Sequence, residues 1–574
     1  MSHKLIDRAR RRLSQESGPG SNPWGGRLSV ALVYPNTYHH AMSNLGFLSV
    51  YQMLNAREDT LCERFYLPDP EDLDEHRRTG YPLFSLESQT RLSEFDLVAF
   101  SISFENDYLN LPILFELAGL PLWREERNEQ HPLVLAGGVC AFLNPEPLAE
   151  ICDLFAIGEA EVLLAPLIAA LRHDSGARAG LLAKLATVDG IYVPSHYIPE
   201  YDQQGLFTGY RVLSPGRERV ARQWLSDYDS VILRSELQTR ATEFGELSLV
   251  EVSRGCSRGC RFCAAGFLFL PPREHALEKL QDACSAGLET RNRIGLVGAA
   301  VSDYPRLGEL QGSIAEQGGE SSLASLRIDS LDAEEVDALK QGGHRSVALA
   351  PEAGSQRLRD LINKGLDERQ ILDAVRLLAA GGILNLKLYF LIGLPTETDT
   401  DIDELLELVD KARCIWLEEG RKLGRLGSLL LSVNPFVPKP FTPFQWAGMA
   451  TQKQLKQRIK RLQGALRRIP NVELSSESLK GSILQALLSR GDRRVGRLLP
   501  ALAAGQPLKA ACRDSGVDLD TEICRERDEH EVFPWEVLDS RVSRSYLWRE
   551  YTHALAGRST PRCAAGCHRC GVCG

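Results

Sequence analysis

The sequence lacks any apolar run approaching the ~20 residues needed to cross a bilayer, so nothing in it predicts a membrane span. Nor do its first residues read as a secretory signal. The opening Met1-Ser-His-Lys-Leu-Ile-Asp-Arg-Ala-Arg-Arg-Arg-Leu13 is basic and amphipathic but has no apolar core. Positive charge is short overall: the net charge is −9, which removes a global electrostatic case for holding nucleic acid or an anionic membrane. A disulfide frame is poorly supported, because seven of the 14 cysteines fall in two tight clusters. That usage fits metal binding in a reducing compartment, and the cytoplasm is the expected location.

What is there begins with ordinary bulk numbers. Apolar residues make up 43% and charged residues 25% of 574, a globular composition long enough for several domains. Cys256-Ser-Arg-Gly-Cys260-Arg-Phe-Cys263 is the most informative stretch. Three thiolates in one short loop can hold three irons of a 4Fe-4S cluster and leave the fourth without a protein ligand. An open metal position is where a small molecule binds and reacts. Zinc is the rival, and it asks for a fourth ligand, for which His275 and Cys284 are the next residues along the chain.

This x3-x2 spacing, with an aromatic before the last cysteine, resembles the radical S-adenosylmethionine (SAM) enzymes. Leu391-Ile-Gly393-Leu-Pro-Thr-Glu397 is similar to the fifth-strand motif of the branch that includes methylthiotransferases and coproporphyrinogen dehydrogenases. Ala350-Pro-Glu352-Ala-Gly354-Ser355 with Ile362-Asn-Lys364-Gly365 resembles its fourth-strand segment, and Val433-Asn-Pro435-Phe-Val-Pro438-Lys-Pro440 its sixth-strand ending. The resemblance covers roughly residues 246 to 445. It implies a partial (β/α)6 barrel in which SAM chelates the open iron and, after one-electron reduction, yields methionine and a 5′-deoxyadenosyl radical. It also implies SAM contacts at Phe262, Gly298, Ser302, Asp303, Glu352 and Gly393, and an external one-electron reductant of the flavodoxin or ferredoxin type. Asp303 serves equally well as a helix cap, and Arg327 with Asp329 as a structural ion pair.

Strand and helix patterns alternate from residue 27 to 173: Leu28–Tyr34, a helix over Ala41–Leu54, then strands at Asp96–Ser103, Leu133–Ala136 and Asp153–Ile157. Such alternation predicts a Rossmann-like parallel sheet with ligands at its carboxyl ends, where Gly137-Gly138 and Gly158-Glu159 fall. The region resembles the cobalamin-binding-like domain of one class of radical SAM enzymes, which places Ser101, Ser103, Gly137 and Gly138 against the cofactor's nucleotide tail. The Asp-x-His-x-x-Gly motif that supplies histidine to cobalt is absent, and His39 and His40 stand nearby instead. Cobalamin bound without a protein ligand to cobalt is the expectation, and a domain that has lost cobalamin and kept only the fold is the alternative.

Residues 1–26 read as a basic extension and 174–245 as a connector with a hairpin. Barrel strands are predicted at Leu247–Ser253, Ile294–Ala299, Leu323–Ile328, Ser346–Ala350, Leu384–Ile392 and Leu429–Asn434. Lys387 interrupts the fifth, so it is expected to face a cavity or a carboxylate. Residues 446–574 read as a helical region, and Thr451–Ile469 carries seven Lys or Arg over an apolar stripe. That face suits RNA or plain solvent. The chain closes on Cys563, Cys567, Cys570 and Cys573, a second metal site for zinc or iron–sulfur. The whole chain is similar to radical SAM proteins that end in such a tail. Methyl transfer assisted by cobalamin is the expected reaction, modification of RNA or a ribosomal component the first alternative, and a non-catalytic iron–sulfur scaffold the second.

Overall fold

The computed structural model describes residues 2–172, 177–323, 326–341, 345–564 and 566–573. Its first unit is a six-stranded sheet in the spatial order Thr60–Tyr66, Leu28–Tyr34, Leu97–Ser101, Leu133–Gly137, Leu154–Ala156, Ile191–Tyr192. The first five strands are parallel and the last antiparallel. Leu28–Tyr34 lies as read, and its unbroken apolar run follows from burial on both faces. Two helices, Tyr38–Met42 and Leu45–Asn55, replace the single one expected, because Asn44 stops the first and caps the second by accepting from the Phe47 amide.

Two strands of this sheet differ from the expectation. Thr60–Tyr66 is not among the strands the apolar pattern marks, and Glu63 and Arg64 interrupt its apolar character. All seven residues are buried, and Arg64 is neutralised by Glu16 and Glu87, each at 2.6 Å. Ile191–Tyr192, within the stretch expected to be connector, pairs with Leu154–Ala156 and completes the sheet. The expected hairpin follows at Tyr197–Tyr201 and Phe207–Val212.

Six further parallel strands form the second unit in two hydrogen-bonded groups. Leu247–Glu251, Arg293–Val297 and Glu320–Leu323 make one, and Ser346–Glu352, Asn385–Ile392 and Ser428–Pro435 the other. A seventh, Val472–Ser475, extends the second group. Helices between strands cover the outside, as parallel strands require. The third strand lies earlier than expected: pairing runs from Arg293↔Glu320 to Leu296↔Leu323, residues 324–325 lie outside the described residues, and 326–328 are not strand. Its serines weaken the apolar signal that placed it over 323–328.

The C-terminal region is helical and clasps both units. Glu105, from the first unit, accepts from Ser489 at 2.7 Å and Gln485 at 2.9 Å and pairs with Lys439, which follows the sixth barrel strand. Glu146 meets Arg493 at 2.8 Å, with both side chains buried. These buried contacts hold the carboxyl ends of the first sheet against the barrel. No helix among the described residues is long and apolar enough to cross a membrane.

Candidate functional site

A cavity of about 490 Å³ lies where the two units meet. Its first wall is the carboxyl edge of the first sheet, with Ser101, Ser103, Gly138 and Gly158; its second comes from the barrel, with Leu249, Glu251, Val297 and Arg254. The lining is mainly apolar, including Phe142, Phe244 and Phe269. A void of about 80 Å³ adjoins it beneath the sheet edge, shares Ser101, Gly138 and Gly158, and adds Gly137.

The glycines here are fixed by the chain itself. A Cβ on Gly138, at φ 94°, would lie 2.5 Å from the carbonyl oxygen of Ile102, and one on Gly158, at φ 131°, 2.0 Å from that of Gln223. Backbone crossing therefore accounts for both positive-φ residues. Ser103 accepts from Asn44 at 3.0 Å. His39 and His40 do not line the cavity: His39 is an exposed partner of Glu243, and His40 bonds Thr37.

One end of the cavity is charged. Arg254 meets Glu251 at 2.7 Å, Glu161 at 2.8 Å and Glu159 at 3.1 Å, while Arg273 also holds Glu159 at 2.5 Å. Three carboxylates thus face two guanidiniums. Burial resists ionisation of Glu159, but the two arginines and the Leu225 amide outweigh it and hold the carboxyl below its ordinary value.

The cysteine loop opens directly from the first barrel strand. Ser253–Arg254 pairs with Arg273–Glu274 and closes the neck. Gly255, at φ 90°, lets the chain pass Phe269, whose carbonyl oxygen would stand 2.4 Å from a Cβ. Arg261 is fully buried beneath the loop. Its guanidinium donates to the carbonyl oxygens of Leu361 at 3.0 Å and Arg558 at 2.6 Å and to Glu550 at 3.2 Å, and its amide donates to Ile362. Asn363 donates to the carbonyl oxygens of Gly259 at 3.3 Å and Thr560 at 3.1 Å.

Cys256, Cys260 and Cys263 are half-buried on this loop. Burial pushes the Cys260 thiol up to about 11 against the opposing pull of Lys364. Cys263 is raised for the same reason, though the amides of Gly266 and Ala265 stabilise its thiolate. Among the described residues no three His, Cys, Asp or Glu side chains converge tightly enough for a single ion. A four-iron cube takes each thiolate on a separate iron and asks for a wider spread. The two other zinc ligands considered are engaged elsewhere: His275 stacks on Tyr228 at 3.9 Å and meets Asp229, and Cys284 is buried in the small core around the first three barrel strands.

Around the loop the remaining expected residues take definite places. Glu352 ends the fourth strand at φ 67°, a conformation costly for a non-glycine residue. Its carboxylate is 3.4 Å from Lys364, and burial raises its pKa. Phe262 packs on the core, and Gly298 faces Ser253, whose Oγ would be 2.8 Å from a Cβ. Ser302 and Asp303 lie in one 3-10 turn. Asp303 caps no helix: Arg306 is the N-cap of the one that follows, and Asp303 is held instead by Arg258, at 2.9 Å, and Arg327, at 3.3 Å. Asp329 joins this cluster through Arg327 at 3.0 Å, Arg258, and Arg562 at 2.5 Å. Gly393, at φ 80°, donates its amide to Glu397 at 2.7 Å and abuts Leu455 and Ala450. Lys387 lies 4.6 Å from the centre of the Tyr389 ring.

Nothing in local sequence signalled the place of the tail. The Cys563 amide donates to the Ser257 carbonyl at 2.8 Å, and one void of about 20 Å³ is walled by Cys256 on one side and Cys563, Cys567 and Cys570 on the other.

Residues 250–409 match the family model of the radical SAM superfamily, and residues 46–194 match the model of the N-terminal region of radical SAM proteins. The chain belongs to the radical SAM superfamily. A relative from Methanocaldococcus jannaschii, "Uncharacterized protein MJ0966", is 29% identical over 480 residues, covering 82% of this chain and 90% of that one. The tRNA-2-methylthio-N(6)-dimethylallyladenosine synthase of Trichlorobacter lovleyi is 24% identical over 359 residues, covering 58% and 74%. Among solved structures, the cobalamin-dependent radical SAM enzyme OxsB with aqua-cobalamin and SAM bound aligns at TM-score 0.44 and 17% identity. That alignment covers 67% of this chain, which spans about half, 52%, of OxsB. As a radical SAM protein the chain is an enzyme, and its two α/β units and helical C-terminal region are the architecture its sequence implied.

Proposed function

We propose that the chain cleaves SAM at a 4Fe-4S cluster held by Cys256, Cys260 and Cys263 and uses the resulting radical, with cobalamin, to methylate a substrate in the inter-unit cavity. The observation that carries this reading is the cavity itself, which joins the carboxyl edge of the first sheet to the barrel wall at Arg254 and Phe269, the residues that flank the cysteine loop. The donor set suits the cluster: three cysteines on one loop, a nearby lysine to offset negative charge, and amides aimed at a thiolate. When bound, the cluster and SAM supply one-electron cleavage of a carbon–sulfur bond, which no side chain performs. This chain's part is to bind, orient and exclude water. Glu352 is placed to accept hydrogen bonds from a ribose diol, with Lys364 holding it in position. Phe262, Gly298, Ser302, Asp303 and Gly393 are the other proposed SAM contacts. For Asp303 that contact runs through Arg258, since its carboxylate is already engaged.

The apolar cavity suits a corrinoid bound by shape. No histidine lines it, so cobalt there takes no imidazole from the chain. Ser101, Gly137 and Gly138 border the smaller void that suits the nucleotide tail, and Ser103 stands beside it in the main cavity. Electrons come from an acidic flavodoxin or ferredoxin type of carrier. The test is anaerobic reconstitution with dithionite and SAM, measuring 5′-deoxyadenosine. Release above a Cys263→Ala control supports the reading, and none returns the protein to the scaffold alternative. A corrinoid spectrum after purification from a cobalamin-fed host tests the second cofactor.

A second reading, RNA modification of the methylthiotransferase type, draws on the similarity to the tRNA-modifying synthase. It also draws on the helix Gln452–Leu466, which buries Leu455, Leu462 and Leu466 and leaves Lys453, Lys456 and Lys460 exposed. Nucleoside mass spectrometry of RNA from a deletion strain decides it: a missing methylthio group favours this reading, and an unchanged profile the first.

A further inference from the structure

The four tail cysteines sit against the loop that the proposed function makes the site of SAM cleavage, and their surroundings differ in charge from the rest of the chain. From Arg541 to the end the sequence holds Arg541, Arg544, Arg549, Arg558, Arg562 and Arg569 but one acid, Glu550. Glu550 is buried against Arg261, so it adds nothing to the surface. Arg541, Arg549 and Arg558 are exposed, as is Cys573, while Arg562, also exposed, is paired with Asp329. Cys570 is buried, and its carbonyl accepts from the Ser543 amide at 2.8 Å. The cysteine set therefore runs from solvent at Cys573 to the void it shares with Cys256. An outer end set in positive charge, on a chain of net charge −9, fits an acidic partner.

We infer that the tail binds a second iron–sulfur cluster and is the port through which an acidic one-electron carrier protein reduces the loop cluster. Spacings of three, two and two residues let four thiolates ligate one cluster. Unlike the loop, this set is closed, with no position left for a small molecule, which suits relay. The electrons balance simply. With both clusters bound, the one electron lost by the carrier would pass by way of the four tail thiolates' cluster to that of the loop and break the sulfonium carbon–sulfur bond of SAM, giving methionine and a 5′-deoxyadenosyl radical. Docking of the tail gives that electron a path across one small void instead of a layer of protein: Cys563 bonds Ser257, Arg562 holds Asp329, and Thr560 bonds Asn363.

The proposal rests on the loop as the site of cleavage, and its test separates the two. Full-length protein is reconstituted anaerobically, and iron, sulfide and zinc are counted per chain in wild type, in Cys256→Ala/Cys260→Ala/Cys263→Ala, and in Cys570→Ser/Cys573→Ser. About eight irons in wild type and about four in each variant are expected, one four-iron cluster per site. Zinc, or no metal, in the loop triple variant overturns the proposal whatever the loop does. The second readout is the ratio of SAM cleavage driven by a reduced acidic flavodoxin to that driven by dithionite. It should fall at least about tenfold in Cys570→Ser/Cys573→Ser and in Arg549→Glu/Arg558→Glu, and in the latter the salt dependence should shrink. The charge pair leaves every cysteine in place, and an iron count of about eight in it, one four-iron cluster per site, separates lost docking charge from a tail disturbed at the Arg549 bond to the Arg569 carbonyl. An unchanged ratio in both variants overturns the proposal. Absence of cleavage by wild type with dithionite would sink the cleavage reading, while the metal count still decides the tail.

Discussion

The loop and the tail use the same residue type and are held in opposite ways. The loop is bolted from beneath by a buried ion pair, Arg261 with Glu550, and by Asn363. Fixation of the tail comes mostly through backbone and surface arginines, with Cys573 in solvent. Burial keeps Cys260 protonated up to about 11, whereas the guanidinium of Arg569, bonded to Cys567, holds that thiol below its ordinary value. A thiol that resists ionisation in empty protein becomes a ligand only when metal displaces its proton. One that ionises readily is open to metal and to oxidants alike. Rigidity and burial thus belong to the proposed site of chemistry, and access to the outer site.

The contrast breaks most sharply at the bolt. Glu550→Ala leaves Arg261 buried without its countercharge and should cost about 3–5 kcal/mol in denaturant unfolding. Arg569→Ala, at the tail, should change stability by about 0.5 kcal/mol or less. Equal losses would mean that the two sites are not held differently.

A smaller effect should appear with pH. Burial pushes Glu397, behind Gly393, up to about 7 in spite of Arg458. Between the ordinary glutamate value, ~4.3, and pH 7 the native group keeps a proton that the unfolded one has lost. Stability therefore falls as pH rises through that window, by up to about 4 kcal/mol. Glu397→Gln should flatten the slope, which thermal melts from pH 4.5 to 7.5 read directly.

Gly393→Ala tests the same corner. Its Cβ would stand 2.8 Å from Leu455 Cδ2 in a left-handed conformation, a strain of about 1–3 kcal/mol. The smallest expected effect lies in the metal-free thiols. In a short iodoacetamide pulse at pH 7.5, Cys567 should label roughly tenfold faster than Cys260. Arg569→Ala should narrow that gap, and equal labelling would remove the electrostatic distinction between loop and tail.

Much of this architecture was legible in the chain because its signals are local. The cysteine triplet, the apolar run Leu28–Tyr34 and the glycine-marked strand ends each announce themselves within a few residues. Thr60–Tyr66 did not, because its buried Arg64 is neutral only in the company of Glu16 and Glu87. The third barrel strand was misplaced because Ser321 and Ser322 fill positions where apolar residues would mark it. Asp303 looked like a cap or ligand from its neighbours alone, while its partners Arg258 and Arg327 come from other strands' ends. Docking of the tail beneath the loop joins residues some three hundred positions apart, and no periodicity encodes that.

The central claim is that one iron of the loop cluster has no protein ligand and takes SAM. Electron–nuclear double resonance on the reduced, reconstituted tail variant Cys570→Ser/Cys573→Ser, with SAM carrying a nitrogen-15 amine, tests it directly. The account predicts a nitrogen-15 coupling to the cluster that vanishes when SAM is left out. A spectrum unchanged by saturating SAM, from a cluster already closed by a fourth side chain, would contradict it.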